Sequence, residues 1–114
     1  MTRPFTVRDV IPPGTLEVLI LTTLGRADEL HGFEIAESIR ARSDDVLTVE
    51  EGSLYPALQR LLVKGWIADA WGRTLENRRA RYYRLTPSGR RHLERELARY
   101  NRVARAVARV LSPA

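Results

Sequence analysis

The sequence predicts a mainly α-helical domain with one small β-hairpin, followed by a long C-terminal helix. Three observations favour this architecture. Apolar residues recur at helical spacing in three segments between positions 15 and 65. Two aromatic-rich runs, at 66–71 and 79–85, flank a polar tip that contains glycine and asparagine. Beyond position 87, apolar residues recur in steps of four and three, which is the heptad pattern of a helix that packs along another helix.

The first predicted helix is apolar around nearly its whole circumference, so we expect it to be buried on several sides. Thr15 is the expected N-cap, and Gly25 is expected to end the helix. The preceding residues, 1–13, contain three prolines and are interpreted as an extended N-terminal segment.

The next two helices are shorter amphipathic segments. The second is predicted over 32–42, where isoleucines and a phenylalanine form one apolar stripe and charged residues the other side. The third is predicted from Ser53, acting as N-cap, to Lys64, with Pro56 in its first turn and Gly65 as its stop.

The hairpin is predicted from its composition, because aromatic residues favour strands and polar residues occupy the tip between them. We expect Trp66 and Trp71 to pack the hairpin onto the helices. Side chains alternate along a strand, so one of Tyr82 and Tyr83 should be buried and the other exposed. The alternation does not say which.

The last helix is predicted over 87–111, with Thr86 as N-cap and Pro87 at the first helical position. Its narrow apolar seam is flanked by arginines, and a seam of this kind requires another helix. A chain of 114 residues is too short to supply several further helices, so a second copy of the protein is the expected partner of this seam. We therefore interpret 1–13 as an N-terminal extension, 14–86 as the folded domain and 87–114 as a C-terminal dimerisation helix.

Three helices followed by a hairpin is the order of a winged helix-turn-helix, in which the third helix enters the major groove of DNA and the hairpin is the wing. On the third helix, Gln59 suits adenine and Arg60 suits guanine. The wing carries arginines that suit phosphates. The predicted DNA contacts are Ser53, Tyr55, Pro56, Gln59, Arg60, Lys64, Arg73, Arg78, Arg79 and Arg81.

The charge distribution also favours an anionic partner. The net charge is +5, but residues 1–72 hold seven basic and eleven acidic residues, whereas residues 73–114 hold twelve arginines and three glutamates. A basic C-terminal third suits nucleic acid, an acidic membrane surface or an acidic protein.

Five segments of the chain carry distinctive motifs: Gly14-Thr15-Leu16, His31-Gly32-Phe33-Glu34-Ile35, Gly52-Ser53-Leu54-Tyr55-Pro56-Ala57-Leu58, Gly65-Trp66-Ile67 and Arg81-Tyr82-Tyr83-Arg84-Leu85-Thr86-x-x-Gly89. Together they resemble the PadR family of bacterial transcriptional regulators, and the resemblance covers about residues 14–100. The resemblance implies a homodimeric repressor that binds a roughly palindromic operator and is released, in many members, by a small effector. By its length the chain is similar to the short subfamily, which has a single C-terminal helix.

A dimer of this kind would pair the last helices and pack the first helix of each copy against the partner's last helix. An effector would then enter the apolar space between the long helices. The expected dimerisation residues are Leu16, Leu19, Ile20, Leu93, Leu97, Tyr100, Ala104, Val107 and Leu111.

Other functional classes have little support in the sequence. There is no cysteine, and the lone His31 and His92 do not predict a metal site. No catalytic triad, paired carboxylates in an apolar setting or phosphate-binding loop is present, so we expect neither an enzyme nor a cofactor. No membrane span or secretory signal is predicted, which favours the cytoplasm. The alternatives are a winged helix that binds a protein instead of DNA and an arginine-rich helix at a membrane surface.

Overall fold

The computed structural model describes residue 11 and residues 14–114, so the predicted extension at 1–13 lies almost wholly outside the described residues. Four helices and three short strands follow one another along the described chain. In order they are α1 (Thr15–Gly25), β1 (Leu30–His31), α2 (Gly32–Arg42), α3 (Glu51–Val63), β2 (Ile67–Arg73), β3 (Arg79–Leu85) and α4 (Pro87–Leu111).

Helix α1 lies at the centre of the fold, as its all-round apolar sequence predicted. It contacts α2, α3, α4 and strand β3. Its Ile20, Leu21 and Leu24 are almost completely buried, together with Ile35 of α2 and Leu61 of α3. Burial of side chains of this size is the main source of stability in a small domain. The core therefore fixes α2, α3 and the sheet around one helix.

The N-terminal caps of the first two helices differ in kind. The N-cap of α1 is Gly14, with φ +83° and no side-chain cap, so Thr15 is the first helical residue and the prediction for it was wrong. Helix α2 begins with a reciprocal cap: the Glu34 amide donates to Nδ1 of His31, and the His31 amide donates to Oε1 of Glu34 at 3.1 Å. His31 thus has a structural partner at a helix start.

Helix α3 begins three residues earlier than predicted. Its N-cap is Glu50, and Ser53 lies inside the first turn without capping it. Pro56 is consequently in the second turn, where its missing N–H leaves the carbonyl of Gly52 without an intrahelical donor. Gly52 and Pro56 are both exposed, so the unpaired carbonyl of Gly52 is open to solvent. The predicted stop at Gly65 is confirmed.

The strands form one antiparallel sheet in the order β1-β3-β2. The sequence did not predict β1, which is only two residues long and pairs Leu30 with Tyr83. Tyr83 is 4% exposed and belongs to the core, whereas Tyr82 is half-buried. The hairpin between β2 and β3 turns at Asn77, whose φ of +61° is a left-handed conformation that asparagine tolerates.

Helix α4 has the predicted boundaries and cap. The Thr86 hydroxyl accepts a hydrogen bond from the Gly89 amide at 3.0 Å, and Pro87 occupies the first turn. A helix of 25 residues is about 37 Å long. Its N-terminal part packs on the core through Leu93 and Leu97, and from Tyr100 onward nearly every residue is exposed. The C-terminal half of α4 therefore stands clear of the rest of the protomer.

Candidate nucleic-acid interface

The outward face of α3 is the first part of the candidate interface. The opposite face is held by the core through Leu54, Ala57, Leu58 and Leu61, which are all nearly inaccessible. At 100° per residue, Pro56, Gln59 and Val63 lie at the centre of the outward face. The six residues predicted to contact DNA from this helix and its C-cap are all exposed: Ser53, Tyr55, Pro56, Gln59, Arg60 and Lys64.

Arg60 lies at the edge of this face and is tied to α1. Its Nε donates to Oε1 of Glu17 at 2.6 Å, and the guanidinium side chain is 56% exposed. The ion pair joins positions 43 apart in sequence, so no local pattern indicates it. Gln59 is consequently the polar side chain at the centre of the outward face, and Glu17 is a residue of the site that sequence reasoning missed.

Tyr55 connects α3 with the start of α2. Its side chain is 48% exposed, and its ring lies so close to Gly32 that a Cβ there would be 2.8 Å from the phenolic oxygen. The close approach explains why glycine follows His31 in the sequence. The hydroxyl of Tyr55 therefore lies at the surface where α2 and α3 meet.

The wing carries the second part of the interface. Residues directly opposite in an antiparallel pair share a face, and β2 and β3 pair Trp71 with Arg81 and Arg73 with Arg79. These four residues form what we call the wing patch, at the end of the hairpin away from the core. All four are exposed, as is Arg78 beside them.

Contacts within the wing orient three of its arginines. The Arg79 guanidinium lies 4.2 Å from the centre of the Trp71 ring, and that of Arg81 lies 5.7 Å away. Arg81 also pairs with Asp69, and Arg73 donates to the carbonyl of Asn77 at 3.1 Å. Such contacts reduce the number of rotamers that a long side chain samples and leave further donors free.

The two tryptophans differ in burial: Trp66 packs on a helix as predicted, whereas the prediction that Trp71 does so was wrong. Trp66 is half-buried and stacks on His92 of α4, with ring centres 3.4 Å apart and planes 11° apart. Trp71 is 59% exposed and is not part of the core. Its partner in register on β3 is Arg81, and it lies nearer the hairpin tip than Ile67 and Tyr83, which occupy the same face of the sheet and are buried.

A short junction connects α3 with α4. Helix α3 ends in a left-handed Gly65, φ +74°, with the Trp66 amide donating to the Leu61 carbonyl. The Thr86 hydroxyl donates to the Gly65 carbonyl at 2.7 Å, and the Thr86 amide donates to the Trp66 carbonyl at 3.1 Å. Contacts among Leu61, Gly65, Trp66 and Thr86 thus hold the end of α3, the candidate recognition helix, against the start of α4.

Burial lowers the pKa of His92, which stacks on Trp66 in this junction. The neighbouring arginine and lysine, Arg95 and Lys64, lower it further, while Glu96 opposes them. The imidazole is therefore held toward its neutral form. Lys64 itself lies over the other partner, with Nζ 4.8 Å from the Trp66 ring centre.

The described residues also bear on metal binding and on membrane insertion. The described part of the chain holds no group of three or more histidine, aspartate or glutamate side chains arranged for a metal ion. None of the four helices in residues 14–114 combines the length and the apolar composition that a bilayer crossing requires.

The three-helix core, the β-hairpin with a basic tip and the exposed third helix define a winged helix-turn-helix, the fold of a large class of DNA-binding regulators. A family model described as the PadR-like transcriptional regulator family matches residues 20–95. The chain belongs to this family, whose members are transcriptional regulators, and DNA binding is the activity that membership implies.

Solved structures support the same assignment. A transcriptional regulator from Clostridium thermocellum is 26% identical, with a TM-score of 0.78 and coverage of 87% of this chain and 95% of that one. A PadR family regulator from Clostridium difficile is 27% identical, with a TM-score of 0.75 and coverage of 87% and 100%. A PadR-like regulator from Bacillus cereus is 26% identical, with a TM-score of 0.75 and coverage of 89% and 95%.

A further relative is similar in sequence over most of this chain. It is an uncharacterized protein from Lysinibacillus sphaericus that is 32% identical over 87 residues, which are 76% of this chain and 79% of that protein.

Proposed function

We propose that the protein is a homodimeric repressor that binds a palindromic operator through α3 and the wing. The observation that carries the proposal is the placement of exposed base-reading and phosphate-binding side chains on these two elements. Gln59 lies at the centre of the outward face of α3, and the arginines of the wing patch lie at the tip of the hairpin.

In the proposed complex, α3 enters the major groove. The Gln59 amide would bond adenine through its donor and acceptor, and the free Nη atoms of Arg60 would reach guanine while Glu17 holds Nε. Ser53, Tyr55 and Lys64 would contact the sugar-phosphate backbone at the edges of the same groove. Arg78 and the wing arginines would hold flanking phosphates, which adds affinity without sequence preference.

The proposed dimer forms through the C-terminal half of α4. Exposed apolar side chains follow one side of it: Tyr100, Val103, Ala104, Val107, Val110 and Leu111. Their exposed fractions reach 82% at Val110, an unfavourable exposure that a second copy of the helix would remove. Leu16, Leu19 and Leu97 are half-buried against the core of their own protomer, and their exposed parts would contribute the edge of the proposed interface.

Two of the expected dimer residues have another role. Ile20 is completely buried and Leu93 is 7% exposed, so each is enclosed by the core of its own protomer and offers a partner no surface. We therefore restrict the proposed interface to the exposed side of α4 and the adjoining residues of α1.

Repression and release complete the proposal. Two recognition helices about one turn of DNA apart (~34 Å) would read the two halves of a palindrome, and occupancy of a promoter would exclude the polymerase. A small effector in the apolar space between the long helices would release the DNA by favouring a different spacing of the two recognition helices.

The test is fluorescence anisotropy on DNA from upstream of the protein's own gene, with a scrambled duplex of the same composition alongside. We expect tight, salt-dependent binding that favours the native duplex, and Gln59→Ala should reduce that preference by about 1–3 kcal/mol. The matched control is Asn101→Ala, which removes an exposed amide from α4. Equal binding to both duplexes at every salt concentration would contradict sequence-specific recognition and support the protein-binding alternative.

A further inference from the structure

Trp71 is the feature of the wing that the proposed recognition does not use. It is a large apolar side chain that is 59% exposed, and the Arg79 and Arg81 guanidinium groups lie near its ring. Tryptophan is highly buried on average, so an indole this exposed among arginines, on a strand next to the candidate DNA surface, is a candidate contact residue.

The surroundings of Trp71 identify the chemistry of that partner. Arg73, Arg79 and Arg81 share its face of the hairpin, and Asp69 is the one carboxylate that pairs with them in the described contacts. A second copy of the wing patch is excluded as the occupant, because a two-fold contact would bring like charges together. An aromatic ring beside several guanidinium groups suits a polymer of apolar rings and anionic groups, which is nucleic acid.

The ring also orders the arginines. The Arg79 guanidinium lies over the indole, 4.2 Å from the ring centre, and this contact restricts the rotamers that the arginine samples. Arg73 and Arg79 lie directly opposite each other in register, an arrangement of like charges that is unfavourable without an anion between them. A phosphate group at this edge would relieve the repulsion.

We propose that Trp71 is a DNA-contact residue: its exposed ring packs on the deoxyribose of one strand and presents the stacked Arg79 to the adjacent phosphate. This inference rests on the proposed function and extends it from the arginines to a non-ionic contact. Because sugars and phosphates are the same at every base pair, the contact adds affinity without adding sequence preference.

The first experiment uses the fluorescence of Trp71 itself. Trp66→Phe leaves Trp71 as the single tryptophan and keeps an aromatic ring against His92. A mixed-sequence duplex carrying a distant dye is added at about 50 mM salt and then competed with about 200 mM salt. We expect Trp71 emission and its quenching by acrylamide to change with the same half-saturation as the dye anisotropy and to recover at high salt.

Two outcomes overturn the inference in different ways. Anisotropy that rises while Trp71 emission and acrylamide quenching stay constant would show DNA binding without this contact. Anisotropy that stays constant would refute the proposed function, and the inference with it. A Trp71 response to an acidic polypeptide that duplex DNA does not reproduce would assign the wing patch to a protein partner and would also refute the inference.

Substitution gives the second experiment. Trp71→Ala should weaken binding about five- to tenfold on the native and the scrambled duplex alike, and Trp71→Phe should weaken it less. Leu75→Ala is the matched control, since Leu75 is fully exposed at the wing tip and has no arginine stacked on it. A loss confined to the native duplex, or an equal loss in the Leu75 variant, would contradict the proposed contact.

A double-mutant cycle isolates the orienting role of the ring. If Trp71 presents Arg79, then Trp71→Ala combined with Arg79→Ala should weaken binding by less than the product of the two single effects. Arg78→Ala serves as the uncoupled comparison, since Arg78 is exposed beside the patch. Independent effects of Trp71 and Arg79 would refute the orienting role.

Discussion

Gly89 lets the first turn of α4 lie directly against the turn that joins α3 to β2. A Cβ atom at this position would lie 1.9 Å from the carbonyl oxygen of Trp66, whereas real Cβ contacts below 3.0 Å essentially do not occur. Gly89→Ala therefore has to separate two backbone segments by about 1 Å. The same movement strains two hydrogen bonds, from Thr86 to the Trp66 carbonyl and from Gly89 to the Thr86 hydroxyl.

The cost follows from these contacts. Overpacking against backbone costs about 1–3 kcal/mol, and weakening the helix cap and one further hydrogen bond adds about 1–2 kcal/mol. Alanine regains about 1 kcal/mol of helix propensity. The net loss in the free energy of unfolding is then about 1–4 kcal/mol. At about 2 cal/mol/K of unfolding entropy per residue, this lowers the melting temperature by roughly 4–17 °C.

The assay is thermal unfolding followed by circular dichroism, at one fixed protein concentration. Gly52→Ala is the matched control: it also places alanine in a helix, but its Cβ would have no neighbour within 4 Å, so it should stabilise the protein by up to about 1 kcal/mol. A Gly89→Ala protein that melts at or above the wild-type temperature would refute the reasoning.

Three further predictions concern DNA, the dimer and pH. Arg60→Ala should reduce the preference for the native duplex by about 1–3 kcal/mol, and an equal loss of affinity on all sequences would make Arg60 a phosphate contact. Glu17→Gln, which removes the charge that pairs with Arg60, should lower the free energy of unfolding by less than about 1 kcal/mol. Val107→Glu should give a monomer in light scattering. Ala98→Glu should not, since Ala98 is exposed on the opposite side of α4. A dimer that persists in the Val107 variant would exclude the α4 seam as the interface. Burial lowers the pKa of His92, so as the pH falls the unfolded state takes up the proton before the folded state does, and stability should fall as the pH drops below about 6.5. His92→Phe should make the melting temperature less dependent on pH in this range. An unchanged pH dependence in the variant would exclude His92 as the cause.

The sequence predicted the elements that local chemistry determines. Helix α4 starts where Thr86 and Pro87 place a cap and a preset φ, and helix α3 ends at a glycine that can adopt positive φ. The start of α3 was missed by three residues because Ser53 is a strong capping residue that the helix does not use. A proline in the second turn is tolerated there because the affected carbonyl faces solvent.

The features that were missed depend on tertiary contacts. The strand β1 has only two residues, and its pairing with β3 across more than 50 positions decides which tyrosine is buried. The Glu17–Arg60 ion pair joins two helices through side chains whose separation in sequence carries no periodic signal. Trp71 shares the face of the sheet that carries the buried Ile67 and Tyr83, and it is exposed because it lies nearer the hairpin tip, a distance from the core that side-chain alternation does not reveal.

The junction between α3 and α4 links the two halves of the proposed function. The hydroxyl groups of Thr86 and Ser88 both donate to the Gly65 carbonyl, and Gly89 lies against Trp66, so the end of the recognition helix cannot turn freely relative to α4. In a dimer paired through α4, the distance between the two recognition helices is then set by how the two long helices cross. In the proposed dimer, a small change in that crossing would be carried to α3 through backbone contacts, which deform less readily than side chains. Gly89 would keep this connection stiff, since any larger residue would separate α4 from the end of the recognition helix.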